Sequence, residues 1–374
     1  MKAIGLMSGT SADALDIALI EISNTDVKLL EFREVNYPGE LHKKILRTIH
    51  STTISLEEIA DLNIELGKFY GESVKAFIEN IRLRKDEIGV IGSHGQTIFH
   101  RSKRYTGKGA TLQIGDGAHI AKITGIPVVS DFRMDDLAVG GEGAPLTPYF
   151  HHFLFKNREK PLMVLNIGGI ANITVVTGKI DDLIAFDTGP GNSLIDIAVC
   201  DLTGGESSFD KDGTFSGKGN IIEEMLEELC NHPFFRIPPP KSTGREDFGM
   251  ETYLNVKKRY GNNPPEDIVR TFVELTACSI HDAYRRFILP HYPARELIVT
   301  GGGSRNPTLT EALRKYFAEI PVKKIEDYGY RSEAMEAMAF ALFGYKTLFE
   351  KEGINIPGAT GAERRVICGK ISLP

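Results

Sequence analysis

Gly5-Leu-Met-Ser-Gly-Thr-Ser-Ala-Asp-Ala-Leu-Asp16 is the stretch from which the fold of this 374-residue chain is read. The apolar run Ala3-Ile4-Gly5-Leu6-Met7 enters it, Leu15, Ile17, Leu19 and Ile20 leave it, and small or hydroxylated residues fill Ser8 to Asp13 between. That pattern predicts two strands joined by a tight turn whose backbone amides no bulky side chain shields. Two later segments have the same build: Asn166-Ile-Gly-Gly-Ile-Ala-Asn172 and Thr300-Gly-Gly-Gly-Ser-Arg-Asn306. Bare amides at strand ends are where phosphates bind.

Outward from these turns, strand and helix alternate. Residues 55–81 predict a helix, with Ser55 as cap, Glu58 completing a capping box, and Ile59, Leu62, Leu66 and Phe69 at helical spacing. A buried strand at 88–91 ends in Ser93-His94-Gly95-Gln96-Thr97, and residues 130–160 turn irregular and rich in Gly and Pro. The opening pattern then returns at 162–176. A strand at 183–186 leads to Asp187-Thr-Gly-Pro-Gly-Asn192 and a helix reaching Leu202; helices near 219–231 and 265–288, a strand at 297–299 and a helix at 332–349 follow. The expected class is α/β, with one domain over 1–150 and a second over 151–374, whose last helix can pack back on the first. The glycine turns would then face a cleft that closes on binding.

Composition narrows the function. With 41% hydrophobic and 25% charged residues the chain reads as an ordinary soluble protein, and a net charge of −6 with scattered Lys and Arg argues against a nucleic-acid partner. No stretch approaches the ~20 apolar residues of a membrane span, and Met1 runs directly into a strand, so no membrane partner and a cytoplasmic location are expected. Cys200, Cys230, Cys278 and Cys368 are far apart without a C-x-x-C pair, which predicts buried reduced thiols. No Walker sequence, complete G-x-G-x-x-G or G-x-S-x-G elbow occurs, so P-loop, dinucleotide and serine-hydrolase chemistry lose ground.

The first turn offers Ser8, Thr10 and Ser11 hydroxyls, the Gly9 backbone, and the Asp13 and Asp16 carboxylates, a set suited to cradling phosphates and hydrated magnesium. It also reads as a plain polar hairpin. Asp187 follows an apolar strand and precedes a Gly turn, which suits a general base or equally a helix N-cap. His94, Gln96, Thr97, Asp131 and Arg133 form polar clusters at strand ends, where Arg133 could take a carboxylate; His94 as a core histidine and Asp131 with Arg133 as a local ion pair remain open.

Taken in order, Gly5-Leu-Met-Ser-Gly-Thr-Ser-x-Asp, Ser93-His-Gly-Gln-Thr, Ser130-Asp-Phe-Arg, Gly143-Ala-Pro-Leu, Asn166-Ile-Gly-Gly-Ile-Ala-Asn, Asp187-Thr-Gly-Pro-Gly-Asn and Glu336-Ala-Met-Ala-Phe-Ala341 resemble the anhydro-N-acetylmuramic acid kinase family over nearly the whole chain. The resemblance implies two ribonuclease H-like domains of the actin-like ATPase and sugar kinase superfamily, with ATP and Mg2+ in the cleft. It implies conversion of 1,6-anhydro-N-acetylmuramic acid, ATP and water to N-acetylmuramic acid 6-phosphate and ADP in cell-wall sugar recycling, by a homodimer. On it, Asp187 is the catalytic base. Gly9, Thr10, Ser11, Ala12, Asp13, Ala14, Leu15, Asp16, Gly168, Gly169, Asn172, Gly301, Gly302 and Gly303 hold nucleotide. His94, Gln96, Thr97, Asp131, Arg133, Gly189 and Asn192 hold sugar, and Asp13 and Asp16 hold the metal directly or through water. Two departures are expected to matter: Ala14 where glycine is usual, which limits positive φ, and Glu142 where glutamine is usual. A plain sugar or small-acid kinase of the same fold, a chaperone-like nucleotide module and an ATP-independent two-carboxylate glycosidase are the competing readings.

Overall fold

Strands β1 (Lys2–Ser8) and β2 (Ala14–Ile22) form the expected antiparallel hairpin, in register from Lys2 opposite Glu21 to Met7 opposite Asp16. The computed structural model describes all residues except 10, 11, 24, 25, 104–106 and 160, so the nucleotide contacts expected of Thr10 and Ser11 lie outside the described residues. β3 (Val27–Asn36) pairs antiparallel with β2, while β4 (Ile88–Arg101) lies parallel to β1. β5 (Ala110–Ile114) runs antiparallel to the far half of β4, and β6 (Val128–Ser130) parallel to its near half.

The second sheet repeats this plan. β7 (Leu162–Ile167), β8 (Ile170–Val176) and β9 (Ile184–Pro190) form an antiparallel meander, and β10 (Leu297–Thr300) and β11 (Val322–Lys324) add parallel on the far side of β7. The orders β3-β2-β1-β4-β6 and β9-β8-β7-β10-β11 match in sequence and in pairing sense, which is the ribonuclease H-like arrangement, present twice. The final strand β12 (Lys370–Ser372) pairs antiparallel with β6.

The chain divides into two compact units, residues 1–154 with 334–374, and residues 155–333. The sequence-based partition gave 151–374 to the second half and allowed its last helix to return; in the structure the whole segment 334–374 sits with the first unit. Packing explains it. Helix Met335–Tyr345 is apolar on nearly all sides and lies against β1 and β4, where Gly5 and Gly92 let its backbone touch theirs. A Cβ on Gly5 would fall 1.7 Å from the Ala337 carbonyl oxygen, and one on Gly92 1.8 Å from that of Phe340. On the helix's other side Phe343 meets Phe132 and Tyr149.

Helix Leu56–Asn80 forms as read, with the Ser55 and Glu58 capping box closed. It buries Leu62, Leu66, Tyr70, Val74 and Phe77 against Ile4, Leu6, Leu15 and Ile17, at about 1.5–3 kcal/mol for each large side chain. In the second unit helix Pro265–Ala283 buries Ile268, Phe272, Leu275 and Ile280 in the core that includes Leu165, Ile173 and Phe186.

Several expectations need correction. The 88–91 strand runs on to Arg101, because β5 offers a new antiparallel partner where β1 ends; the Ser93–Thr97 cluster is therefore inside the strand. Residues 130–160 contain helices Phe132–Ala138 and Thr147–Phe155, hidden in the sequence by the glycines between them. The cysteines are reduced, but Cys200 and Cys230 are exposed and only Cys368 is fully buried.

Candidate active site

In the first unit, a chain of buried hydroxyls fixes the opening turn. The Tyr37 and Tyr70 hydroxyls are 2.9 Å apart, Tyr37 donates to Ser8 Oγ at 2.8 Å, and Ser8 donates to Gln96 Oε1. Gln96 Nε2 donates in turn to the Gly9 carbonyl at 3.2 Å. Gln96 is fully buried, and both ends of its amide are engaged in holding the opening turn. Within the turn, Ala12 N donates to Gly9 O at 3.1 Å and Ala12 takes φ 56°, while Ala14 already begins β2. The strain expected at Ala14 thus falls two residues earlier.

Asp13 is exposed, its carboxylate 4.0 Å from His42 Nε2. Asp16 is half-buried in β2, opposite Met7 on one side and Glu34 on the other. Burial, then the Glu34 and Glu336 charges, push its carboxyl up to about 7. Carboxylates pressing on one another in this way fit a hydrated dication, which would relieve the repulsion. Among the described residues no group of three or more His, Cys, Asp or Glu is placed to hold a metal ion.

Arg133, at the start of helix Phe132–Ala138, donates from Nε to His94 Nε2 at 3.0 Å and from Nη1 to the Gly143 carbonyl at 2.8 Å. Burial, with the Arg133 charge second, holds His94 well below its usual range, so it is a neutral acceptor. Burial lowers the guanidinium pKa, and Glu336 and Asp136 raise it. Asp131, in the left-handed region at φ 58°, pairs with Lys370 at 2.5 Å and not with Arg133. Thr97 accepts from Gln113 Nε2 at 3.1 Å and keeps a half-exposed surface. Glu142 accepts from the Lys103 amide at 3.0 Å, which fixes its charge at the loop. Underneath, the buried Asp136 carboxylate accepts from Gly143 N at 2.7 Å, Asn355 Nδ2 at 2.8 Å and Thr360 Oγ1 at 2.7 Å, setting the 140–143 loop.

In the second unit the glycine turns converge. Across the sheet, Thr300, Asn166, Asn172 and Asp187 stand in successive register. Gly191 N and Ser193 N donate to Gly169 O at 2.9 and 3.0 Å, and Asn192 N to Gly168 O at 2.8 Å. Asn192 Nδ2 also reaches Ile167 O at 3.4 Å. Gly301 has φ 82°, and a Cβ there would fall 2.5 Å from Asn166 Oδ1; one on Gly303 would lie 2.4 Å from Ile167 Cγ2. A Cβ on Gly169 would meet nothing within 4 Å, and one on Gly302 only Asn192 Nδ2, at 4.0 Å. The outer face of these turns is therefore bare backbone, able to receive an anion.

Asp187 lies inside β9, and the following helix, Ser193–Leu202, is preceded by Asn192; the N-cap reading of Asp187 is excluded. Its Oδ2 accepts from Thr243 N at 3.0 Å, and its own N–H donates to Lys241 O at 3.1 Å. Burial raises the carboxyl to about 7, opposed by the Thr243 amide and the Lys241 charge and assisted by Glu246. A half-buried carboxylate poised near neutrality can take a proton from water. Gly189, at φ 148°, packs its α-carbon toward Phe235 and Ser279, where a Cβ would fall 2.6 Å from a ring carbon, so no side chain fits there.

The sequence reading missed three contributors. Glu336 stood in a motif but was not taken as a site residue; its carboxyl is raised by burial and lowered by Arg133. Lys241 and Thr243 follow the triple proline 238–240, read only as a stiff loop; the polar run Lys241-Ser-Thr-Gly-Arg-Glu246 after it was the available signal.

Comparison with known proteins adds an independent finding. The family profile described as anhydro-N-acetylmuramic acid kinase matches residues 1–374. A protein of that name from Caldanaerobacter subterraneus subsp. tengcongensis is 43% identical over 99% of this chain and 96% of its own. Namesakes from Clostridioides difficile, 41% identical over 100% of this chain and 98% of its own, and from Bacillus cereus, 39% identical over 100% of both, align as fully.

Proposed function

The chain belongs to the anhydro-N-acetylmuramic acid kinase family, and on that footing we propose that it opens the 1,6-anhydro bridge of 1,6-anhydro-N-acetylmuramic acid with water and phosphorylates the freed O6 from ATP. The observation that carries the chemistry is Asp187, half-buried and raised to about 7 beside bare glycine turns. In this reading Asp187 removes a proton from water as the oxygen attacks C1. The C1–O6 bond breaks, its electron pair stays on O6, and O6 attacks the γ-phosphorus as ADP leaves. Asp187 then returns its proton to solvent, so sugar, water and ATP give N-acetylmuramic acid 6-phosphate, ADP and one proton. Ring strain and the positioning of water and O6 supply much of the acceleration.

Gly168, Gly169 and Gly301 to Gly303 would hold nucleotide phosphates through bare amides, and the turn from Gly9 to Asp16 offers the same chemistry. Arg133, pinned by His94 and Gly143, suits the carboxylate of the sugar's lactyl group. Asp16, with Glu336 nearby, would hold Mg2+, which supplies charge neutralisation for the transferring phosphoryl group. A cytoplasmic homodimer completes the proposed reading.

The test is a phosphorylated-product assay with Mg2+ and ATP, comparing the anhydro sugar with intact N-acetylmuramic acid. Only the bridged sugar is expected to react, with one ADP per product. Phosphorylation of the intact sugar at an equal rate would establish a plain kinase, and bridge opening without ATP a glycosidase.

A further inference from the structure

We propose that Lys241 is a positioning residue for Asp187, a caged cation that anchors the loop gripping the carboxylate; this rests on the reading of Asp187 as the base. Lys241 is buried, and its ammonium sits 4.4 Å from the centre of the Phe234 ring, 5.0 Å from Phe287 and 6.0 Å from Phe186, with a hydrogen bond to Phe234 O at 3.2 Å. Phe186 is the residue just before Asp187 in β9, so the wall of the cage and the base share one stretch of strand.

The same segment grips Asp187 through its backbone on both sides. Lys241 O accepts from the Asp187 amide, and two residues on, the Thr243 amide donates to the Asp187 carboxylate. Thr243 Oγ1 is tied to Asp247 Oδ2 at 2.6 Å, which closes the loop behind it. Displacing Lys241 from its cage would therefore move both contacts of the base.

An aromatic cage accepts a methionine as readily as a lysine, and burying an ammonium carries a desolvation cost that a thioether does not. Three rings and one carbonyl compensate part of that cost. The Asp187 carboxylate supplies further compensation, and the interaction is mutual: burial lowers Lys241 to about 8 while Asp187 and Asp282 raise it. The other charges facing the pair are Glu246, on the same loop as Lys241, and Asp282 and Arg286, which bond each other at 2.7 Å. Arg286 opposes the charge on Lys241, as Glu246 opposes that on Asp187.

The experiment compares kcat/KM against pH for wild type, Lys241→Met, Lys241→Gln and Lys241→Arg, with thermal melts and nucleotide titration on each. Removing a neighbouring cation raises a carboxyl pKa, so the acid limb is expected to move about one unit upward from its wild-type position in the Met and Gln variants. From a starting value of about 7 the rate then falls about eightfold at pH 6.5 and less than twofold at pH 9. Lys241→Gln keeps a donor for Phe234 O and serves if the Met variant does not fold; Lys241→Arg keeps the charge and is expected to hold the wild-type limb. An unmoved limb in folded Met or Gln variants, or a limb moved as far in Lys241→Arg as in Lys241→Met, overturns the inference. Asp187→Asn separates the two claims: a fully active Asp187→Asn enzyme removes the base itself, whereas an inactive one with unmoved Lys241 limbs removes only the role of Lys241.

Discussion

Gly191→Ala probes the second unit's turn most directly. A Cβ on Gly191 falls 2.2 Å from the Gly168 carbonyl oxygen, where ordinary contact begins near 3.4 Å, so the Gly168 turn must retreat by about 1.2 Å. The retreat pulls on three bonds that join the two turns: Gly191 N and Ser193 N to Gly169 O, and Asn192 N to Gly168 O. Losing two of them costs about 2 kcal/mol of stability. A displacement of about 1 Å in a positioning element lowers turnover about 100-fold, or ~2.7 kcal/mol of transition-state stabilisation. The assay is kcat/KM with ATP varied, alongside calorimetric titration of nucleotide and a thermal melt. Gly178→Ala, where a Cβ meets nothing within 4 Å, is the control and is expected to be neutral. A Gly191→Ala enzyme whose nucleotide affinity and kcat/KM stay within twofold of wild type would refute the assignment of this turn to phosphate.

Other outcomes follow from the same geometry. If Asp187, raised to about 7, is the base proposed above, kcat/KM is expected to rise with pH through that value, and the Asp187→Asn residual rate, about 10²–10⁴-fold lower, to lack the limb in a pH-rate profile. Asp136→Ala leaves three buried donors unpaired and is expected to cost ~3 kcal/mol or more, read from the urea midpoint. Gly92→Ala drives a methyl into the Phe340 carbonyl and is expected to release helix Met335–Tyr345 to limited proteolysis. Chelating magnesium is expected to abolish turnover, and Asp16→Ala to raise the Mg2+ concentration for half-maximal rate about tenfold or more.

Much of the frame was legible because it is local. The hairpin at 3–20, the capped helix at 55–81 and the glycine turns at 168, 189 and 301 are written in neighbouring residues, where periodicity and φ preference act. β3, whose residues are mostly exposed, and the short strands β11 and β12 left no such trace, since their pairing depends on partners far along the chain. Asp187 was legible as a candidate base or N-cap, and the N-cap reading falls because β9 continues past it, with Gly189 and Pro190 paired to Ala171 and Ile170.

By itself, the sequence determined the α/β class, the repeated strand–turn–strand and the residue types that can meet a phosphate, because each follows from short-range backbone preference. Only the tertiary structure decided that Gln96 is used up inside the first turn, that residues 334–374 pack with the first unit, and that the Lys241 carbonyl takes the Asp187 amide. Burial and charge proximity are sums over residues distant in the chain, and no local pattern encodes them.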